Sequence, residues 1–460
     1  MGLLASKINF GKVFLKDHFG LNKALMWTLI FKAWLLLKGP VSLFFLIAFL
    51  TPAQQGYWYV FINLSALALF AELGFNTIIT QFVSHEYALL KLKNGEIIGP
   101  QYHIDRLFGL IKYALKFYAI LLPAAVIVMW ILGFAVLVKE KQVGIIVAWF
   151  AYSALGAVNL LLSLVQYIYQ GLDKVEDIQK NILLGSVLTA LCTWVSLILG
   201  YKVWALVIGS IVGLVTMSVF LLIKTNRFWI QFFKHKVTHV FDWFKEIAFL
   251  QGRYAVSWAG GFFIGNFITP IVMCFNGPLD AGKVGMTLSI TGSLVNISSA
   301  WGMVNIPQFN ILVAQHNAGL LDKLFTKIQR QSSIVYLIGA FFLIMILILI
   351  FPVLRWGERV LSLLDFLILL AAGFAGVRTA NMAFYLRAHK EEPYMWLSII
   401  NGLMTSSLVV IGLYFFKSVS MAVGGYVLTQ FVSFYIAHFI FTGKKREYNS
   451  RIRLVDLNYE

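Results

Sequence analysis

Charge is scarce in this chain. Only 12% of its 460 residues are Asp, Glu, Lys or Arg, about half the share of an ordinary soluble domain. Cysteine is nearly absent: Cys192 and Cys274 both sit in apolar runs and read as small buried hydrophobes, which excludes a disulfide framework. No Gly-Lys-Ser/Thr phosphate loop occurs, so the chain carries no ATP hydrolysis of that type. Neither a His-Glu-x-x-His pair nor a Cys/His cluster occurs, which excludes a zinc site. Residues 1–23 lack a short apolar core followed by a small-residue cleavage site, so no removable signal peptide is expected.

Hydrophobic residues, by contrast, make up 60% of the sequence. Long apolar runs imply about twelve transmembrane helices, each long enough to cross a hydrocarbon core of about 30 Å. They fall near 24–50, 57–83, 107–138, 145–170, 181–200, 203–223, 247–275, 283–314, 332–352, 360–386, 394–416 and 420–441. The expected fold is therefore an all-α polytopic membrane protein. Most loop Lys and Arg lie in 84–106, 171–180, 224–246, 315–331, 387–393 and the two tails. By the positive-inside rule these segments and both termini are cytoplasmic. That bias explains the net charge of +17, and no nucleic-acid partner is called for. Residues 1–23 read as an amphipathic interfacial tail and 442–460 as a basic cytoplasmic tail.

The basic stretch 224–246 separates two blocks of six spans, an N-lobe over 24–223 and a C-lobe over 247–441. Similar punctuation recurs in each block. Thr51-Pro-Ala-Gln-Gln-Gly56 corresponds to Asn276-Gly-Pro-Leu-Asp-Ala-Gly282, and Tyr169-Gln-Gly-Leu-Asp-Lys174 corresponds to Tyr385-Leu-Arg-Ala-His-Lys390. Because six is even, both halves enter in the same sense, which makes a parallel repeat of the transporter kind.

A charge at bilayer depth is costly, so it faces a partner or a watery path. Lys32, Lys38, Glu72 and Arg378 lie inside apolar runs, and Arg253 opens the seventh. Two readings of Lys32, Lys38 and Glu72 stay open: an ion pair that locks two helices, or surplus positive charge facing a cavity. Arg378 keeps its charge at any working pH and offers a fork of donors suited to phosphate. It could line a path or pair with Glu72. Lys112 and Lys116 read as side chains that snorkel to the membrane surface. Pro40, Pro123, Pro270, Pro307 and Pro352 interrupt spans, and Asn266 and Asn305 supply polar groups beside two of these breaks; Asn381 follows Arg378 at helical spacing.

Three segments carry a family likeness: Leu50-Thr-Pro-Ala-Gln-Gln-Gly-Tyr57, Ala71-Glu-Leu-Gly-Phe-Asn-Thr77 and Gln81-Phe-Val-Ser-His-Glu86, joined by Tyr385-Leu-Arg-Ala-His-Lys-Glu-Glu-Pro393. With these the chain resembles the O-antigen flippases of the multidrug/oligosaccharidyl-lipid/polysaccharide (MOP) exporter superfamily. The resemblance implies a V-shaped, two-lobe, MATE-like transporter of the inner (plasma) membrane rather than an enzyme. Its substrate would be an undecaprenyl-pyrophosphate-linked oligosaccharide of the O-antigen, lipopolysaccharide or capsule type, carried to the outer leaflet. Lys32, Lys38, Arg253 and Arg378 would line a cationic cavity, with Asn266, Asn305 and Asn381 as polar lining. Glu72 would be an ion-coupling carboxylate or half of a charge pair. No cofactor or metal is implied beyond coupling to H+ or Na+, and a polysaccharide polymerase and a chain-length regulator would be partners. The rivals are a MATE-type drug antiporter, which would bury acids rather than bases, and a membrane polymerase or ligase, which needs an outer-face catalytic cluster.

Overall fold

The computed structural model describes residues 23–72, 75–140, 142–236, 261–353, 357–389 and 391–457. The described chain is helical apart from one hairpin. Helices α1 (Lys23–Phe49), α2 (Pro52–Glu72) and α3 (Phe75–Tyr87) lead to strands β1 (Lys91–Lys93) and β2 (Glu96–Ile98). There follow α4 (Gln101–Leu137), α5 (Val143–Gly171), α6 (Val175–Ile198) and α7 (Trp204–Lys234). The later part holds α8 (Ile268–Asn276), α9 (Pro278–Val304), α10 (Ile306–Ala314), α11 (Ala318–Val353), α12 (Leu363–Ala388), α13 (Met395–Tyr414) and α14 (Val419–Leu457).

Among the described residues, nine helices are long and apolar enough to cross a membrane, and each coincides with one of the expected spans. The other three expected spans differ. The run 57–83 is divided between α2 and α3, and of 247–275 the part 247–260 lies outside the described residues. The run 283–314 breaks at Asn305, whose side-chain amide turns back to donate to the Trp301 carbonyl at 2.8 Å. Pro307 then occupies the first turn of α10 and Pro270 the first turn of α8, where the missing N–H costs nothing. Pro40, Pro123 and Pro352 lie within continuous helices instead.

Both basic stretches begin as continuations of helices. Helix α7 runs through Lys234, and 237–246 lies outside the described residues. Helix α14 continues past 441 to Leu457, so residues 442–457 are helical. They are fastened to their own unit: Lys444 pairs with Glu391 and Lys445 with Asp322. His389 stacks on Tyr448 with ring centroids 3.8 Å apart, and burial holds its imidazole below the ordinary histidine range.

The chain forms two compact units. Unit 1 comprises 1–49, 74–130 and 147–251; unit 2 comprises 50–73, 131–146 and 252–460. Unit 2 takes in α2, which packs on α9. A Cβ on Gly56 would lie 1.9 Å from the Pro278 carbonyl oxygen, and one on Gly282 would lie 2.8 Å from the Pro52 carbonyl oxygen. A Cβ on Gly285 would meet the Tyr59 side chain. The offset of 226 residues that relates Pro52 to Pro278 also relates Gly56 to Gly282 and Tyr59 to Gly285. Gly56 meets Pro278, the counterpart of Pro52, and Gly282 meets Pro52 itself, while Tyr59 meets its own counterpart Gly285, the reciprocity of a two-fold contact. Gln55 seals this crossing by donating to the Gly282 and Arg359 carbonyls at 2.9 and 3.0 Å.

In unit 1, α1 lies along α6 through two hydrogen bonds. The Trp34 indole donates to Ser186 at 3.0 Å and the Trp194 indole to Ser42 at 3.1 Å. Helices α6 and α7 meet where Gly209 and Gly213 admit Thr193 and Thr189, the close approach that small residues four apart permit. The hairpin turns at Asn94 and Gly95, both with positive φ, as a tight two-residue turn requires. It docks on α7, where Gln231 exchanges two hydrogen bonds with the Ile97 backbone.

Candidate functional site

Lys32 and Lys38 share α1 but not a face. Six residues turn the helix through about 240°, so the two ammonium groups leave the axis about 120° apart. Trp34 and Ser42 both face α6, and Lys38 lies midway between them on that side, half-buried; Lys32 is exposed. Phe45 adds a stacked ring on Trp194 with centroids 5.3 Å apart. Neither lysine has a hydrogen bond or ion pair among the described residues. Glu72 ends α2, and its side chain lies outside the described residues, as does Arg253.

Arg378 and Asn381 belong to a polar layer in unit 2. Three helices there show the same order of side chains. On α9, Leu294 is followed by Ser298, Ser299 and Gly302, and α10 then supplies Phe309. On α11, Phe325 and Ile328 are followed by Gln329 and Ser332, then Tyr336. On α12, Leu370 and Val377 are followed by Arg378 and Asn381, then Met382 and Tyr385. The apolar residues on either side form two separate buried clusters, one with Leu294, Tyr336 and Val377, the other with Phe309, Ile328 and Met382. The polar groups lie between these clusters in sequence on every helix.

Asn381 ties the layer together. Its amide nitrogen donates to Gln329 Oε1 at 3.0 Å. Gly302 makes room for its carbonyl oxygen, which would sit 2.4 Å from a Cβ there. That oxygen, the hydroxyls of Ser298, Ser299 and Ser332, and Arg378 Nε are buried with no hydrogen-bond partner among the described residues. Ser298 and Ser332 are fully buried and Asn381 is 1% exposed. Arg378 itself is half-buried, its guanidinium carbon 6.0 Å from the Phe374 ring centroid, at the outer limit of a cation–π contact. A permanent cation one helical turn from Asn381, in a unit whose facing helices carry unpartnered hydroxyls, suits an oxyanion, since guanidinium and hydroxyl groups both donate.

Of the residues singled out in the sequence, the structure brings Arg378 and Asn381 into one layer and puts Lys38 on the α6 face of α1. Asn305 is engaged with its own helix end, and Asn266 sits in the turn before α8, half-buried. Gln329 and the three serines escape sequence reasoning, because a lone serine in a membrane helix ordinarily bonds its own backbone. A second polar cluster also escapes it: Glu86 of α3 is buried against His103 and Arg106, each 3.0 Å away, and His235 pairs with Asp105.

An unpartnered buried hydroxyl costs about 1–3 kcal/mol. Ser332→Ala is therefore expected to leave the melting temperature of the purified protein unchanged or raise it. A fall of several degrees in a thermal-unfolding assay would show that the hydroxyl holds something the described side chains do not supply.

Solved structures match along nearly the whole chain. A multidrug resistance MATE family transporter of the MOP superfamily, in an inward-facing conformation, matches with a TM-score of 0.60 at 12% identity, over 90% of this chain and 96% of its own. The lipid II flippase MurJ, in an inward closed conformation, matches with a TM-score of 0.62 at 10% identity, over 94% of this chain and 91% of its own. An outward-facing MATE transporter of the same superfamily gives 0.50 at 13% identity, covering 94% of each chain. At such identities the likeness is one of fold, and the fold is that of MATE and MurJ transporters. No protein-family model and no curated protein matches the sequence.

Proposed function

We propose that the protein is a transporter of the MOP type, and that it moves an undecaprenyl-pyrophosphate-linked oligosaccharide from the cytoplasmic to the outer leaflet by alternating access. The observation that carries this reading is the charge state of the spans. Lys38 and Arg378 lie within apolar helices with no carboxylate partner among the described residues. Charges at that depth are retained where they serve a pathway, and unneutralised cations suit a diphosphate rather than a cationic drug. The fold shared with MurJ, a lipid II flippase, supports a lipid-linked substrate. Arg378 would grip a phosphate oxygen with its fork of donors, and Lys38 would act as a point charge. Coupling to H+ or Na+ and partnership with a polymerase and a chain-length regulator belong to the same reading.

The test is reconstitution. The purified protein is placed in liposomes holding an undecaprenyl-pyrophosphate-linked oligosaccharide, and sugar exposed on the far leaflet is measured with a lectin that cannot cross the bilayer. Protein-dependent exposure, dependent or not on an ion gradient, is the expected result. Uptake of a lipophilic cation with no movement of the lipid-linked sugar would overturn it in favour of a MATE-like antiporter.

A further inference from the structure

At one end of unit 1 a groove opens between α4 and the end of α7. Its volume is about 410 Å³, and Lys112 and Lys116 line one wall, with Phe232, Phe233 and His235 on the other. The two lysines are one turn apart, so their ammonium groups project on the same side of α4. Both are exposed, and neither has a hydrogen bond or ion pair among the described residues. The acids nearby are already engaged and do not outweigh the two lysines: Asp105 is hydrogen-bonded to His235, and Glu86 is paired with Arg106 and bonded to His103. The groove is therefore net positive.

Its level relative to a bilayer follows from the length of α4. Lys116 precedes Leu137 by 21 residues, about 32 Å of helix. That length matches a hydrocarbon core of about 30 Å, so a membrane holding the apolar part of α4 has Lys116 at the head-group boundary. Next to the lysines, large apolar side chains are open to the surroundings: Ile120 is 77% exposed on α4 and Phe233 is 77% exposed on α7. Basic side chains with donors to spare, a groove of head-group size and bare apolar side chains beside it make an amphipathic site.

We infer that this groove binds an anionic bilayer phospholipid, with the phosphodiester between Lys112 and Lys116 and an acyl chain against Ile120 and Phe233. Snorkelling alone would place the two lysines at the surface; it gives no reason for a groove between them and the aromatic wall. Basic pockets of this kind at the membrane surface select anionic head groups, each lysine contributing about five-fold in affinity. The site lies wholly within unit 1 and does not depend on the transport reading.

The experiment uses the full-length protein in mild detergent, titrated with phosphatidylglycerol or phosphatidylcholine and read by native mass spectrometry and thermal unfolding. The wild type is expected to retain phosphatidylglycerol in preference to phosphatidylcholine and to melt higher with it. The double variant Lys112→Gln/Lys116→Gln is expected to bind phosphatidylglycerol about 25-fold more weakly. A control pair with the same spacing on α11, Lys323→Gln/Lys327→Gln, is expected to bind as the wild type does. Equal losses in both pairs, or equal retention of the two lipids by the wild type, would overturn the site. Displacement of phosphatidylglycerol by soluble glycerol phosphate at comparable concentration would also overturn it, by showing a site for free phosphate rather than for a lipid.

Discussion

Gly56→Val is expected to abolish the folded protein. A Cβ at this position would lie 1.9 Å from the Pro278 carbonyl oxygen and 2.7 Å from its carbon. Both are backbone atoms, so no rotamer change can clear them, and α2 and α9 would have to separate. Separation would forfeit the Gln55 bonds to the Gly282 and Arg359 carbonyls and the fit of Gly285 under Tyr59. In a bilayer, helix association rests on such close packing, because lipid tails are as apolar as the helix surfaces they meet. The cost belongs with the exceptional losses above about 4 kcal/mol that follow overpacking. Fluorescence-detected gel filtration measures it, with Gly56→Ala expected to fall between wild type and valine. Gly292→Val on the same α9, where a Cβ meets nothing within 4 Å, is expected to elute as a normal peak. Equal behaviour of Gly56→Val and Gly292→Val would disprove the tight crossing.

Arg378→Leu is expected to separate transport from stability. An interaction between a charged group and a phosphate contributes about 1.5–3 kcal/mol, so under the function proposed above its loss should slow translocation of the lipid-linked oligosaccharide by roughly 10- to 100-fold. Arg378→Lys keeps the charge but not the planar fork, and should fall between the two. Stability should move the other way. The guanidinium has no ion-pair partner among the described residues and its Nε is orphaned, so an apolar residue relieves a desolvated charge. The melting temperature of Arg378→Leu should equal or exceed that of the wild type. Full transport by Arg378→Leu would remove the residue from the pathway. A large drop in melting temperature with loss of transport would make it a structural element.

Much of the architecture was legible because hydropathy is a long-range signal: a run of twenty apolar residues survives a stray serine or proline. The same averaging hides helix breaks. The run 283–314 reads as continuous across Asn305, yet that side chain terminates α9 on the Trp301 carbonyl. The hairpin at 91–98 has a local signal in Asn94-Gly95, but its strands are three residues each and carry charges, too short for an alternating pattern to show. The internal repeat showed in the Pro-x-x-x-Gly spacing at 52–56 and 278–282, but spacing alone does not say that the two copies meet. Arg378 announced itself as a charge in an apolar run. Its surroundings did not, because Ser298, Ser332 and Gln329 are ordinary residues until three helices align them. Lys32 and Lys38 both lie in the first apolar run, and which of them faces α6 depends on the direction of each Cβ, which the run does not show.

The two tryptophan–serine bonds between α1 and α6 have a mechanical consequence. The donor is on α1 in one and on α6 in the other, and the two are eight residues apart on both helices. Sliding α1 along α6 by one turn, about 5.4 Å, would break both at once and leave two indole N–H groups in hydrocarbon without acceptors. Axial slip is thus barred at two points, and α1 with α6 behaves as a single rod. Lys38, held between the two fastenings, can change its surroundings only when that whole rod moves.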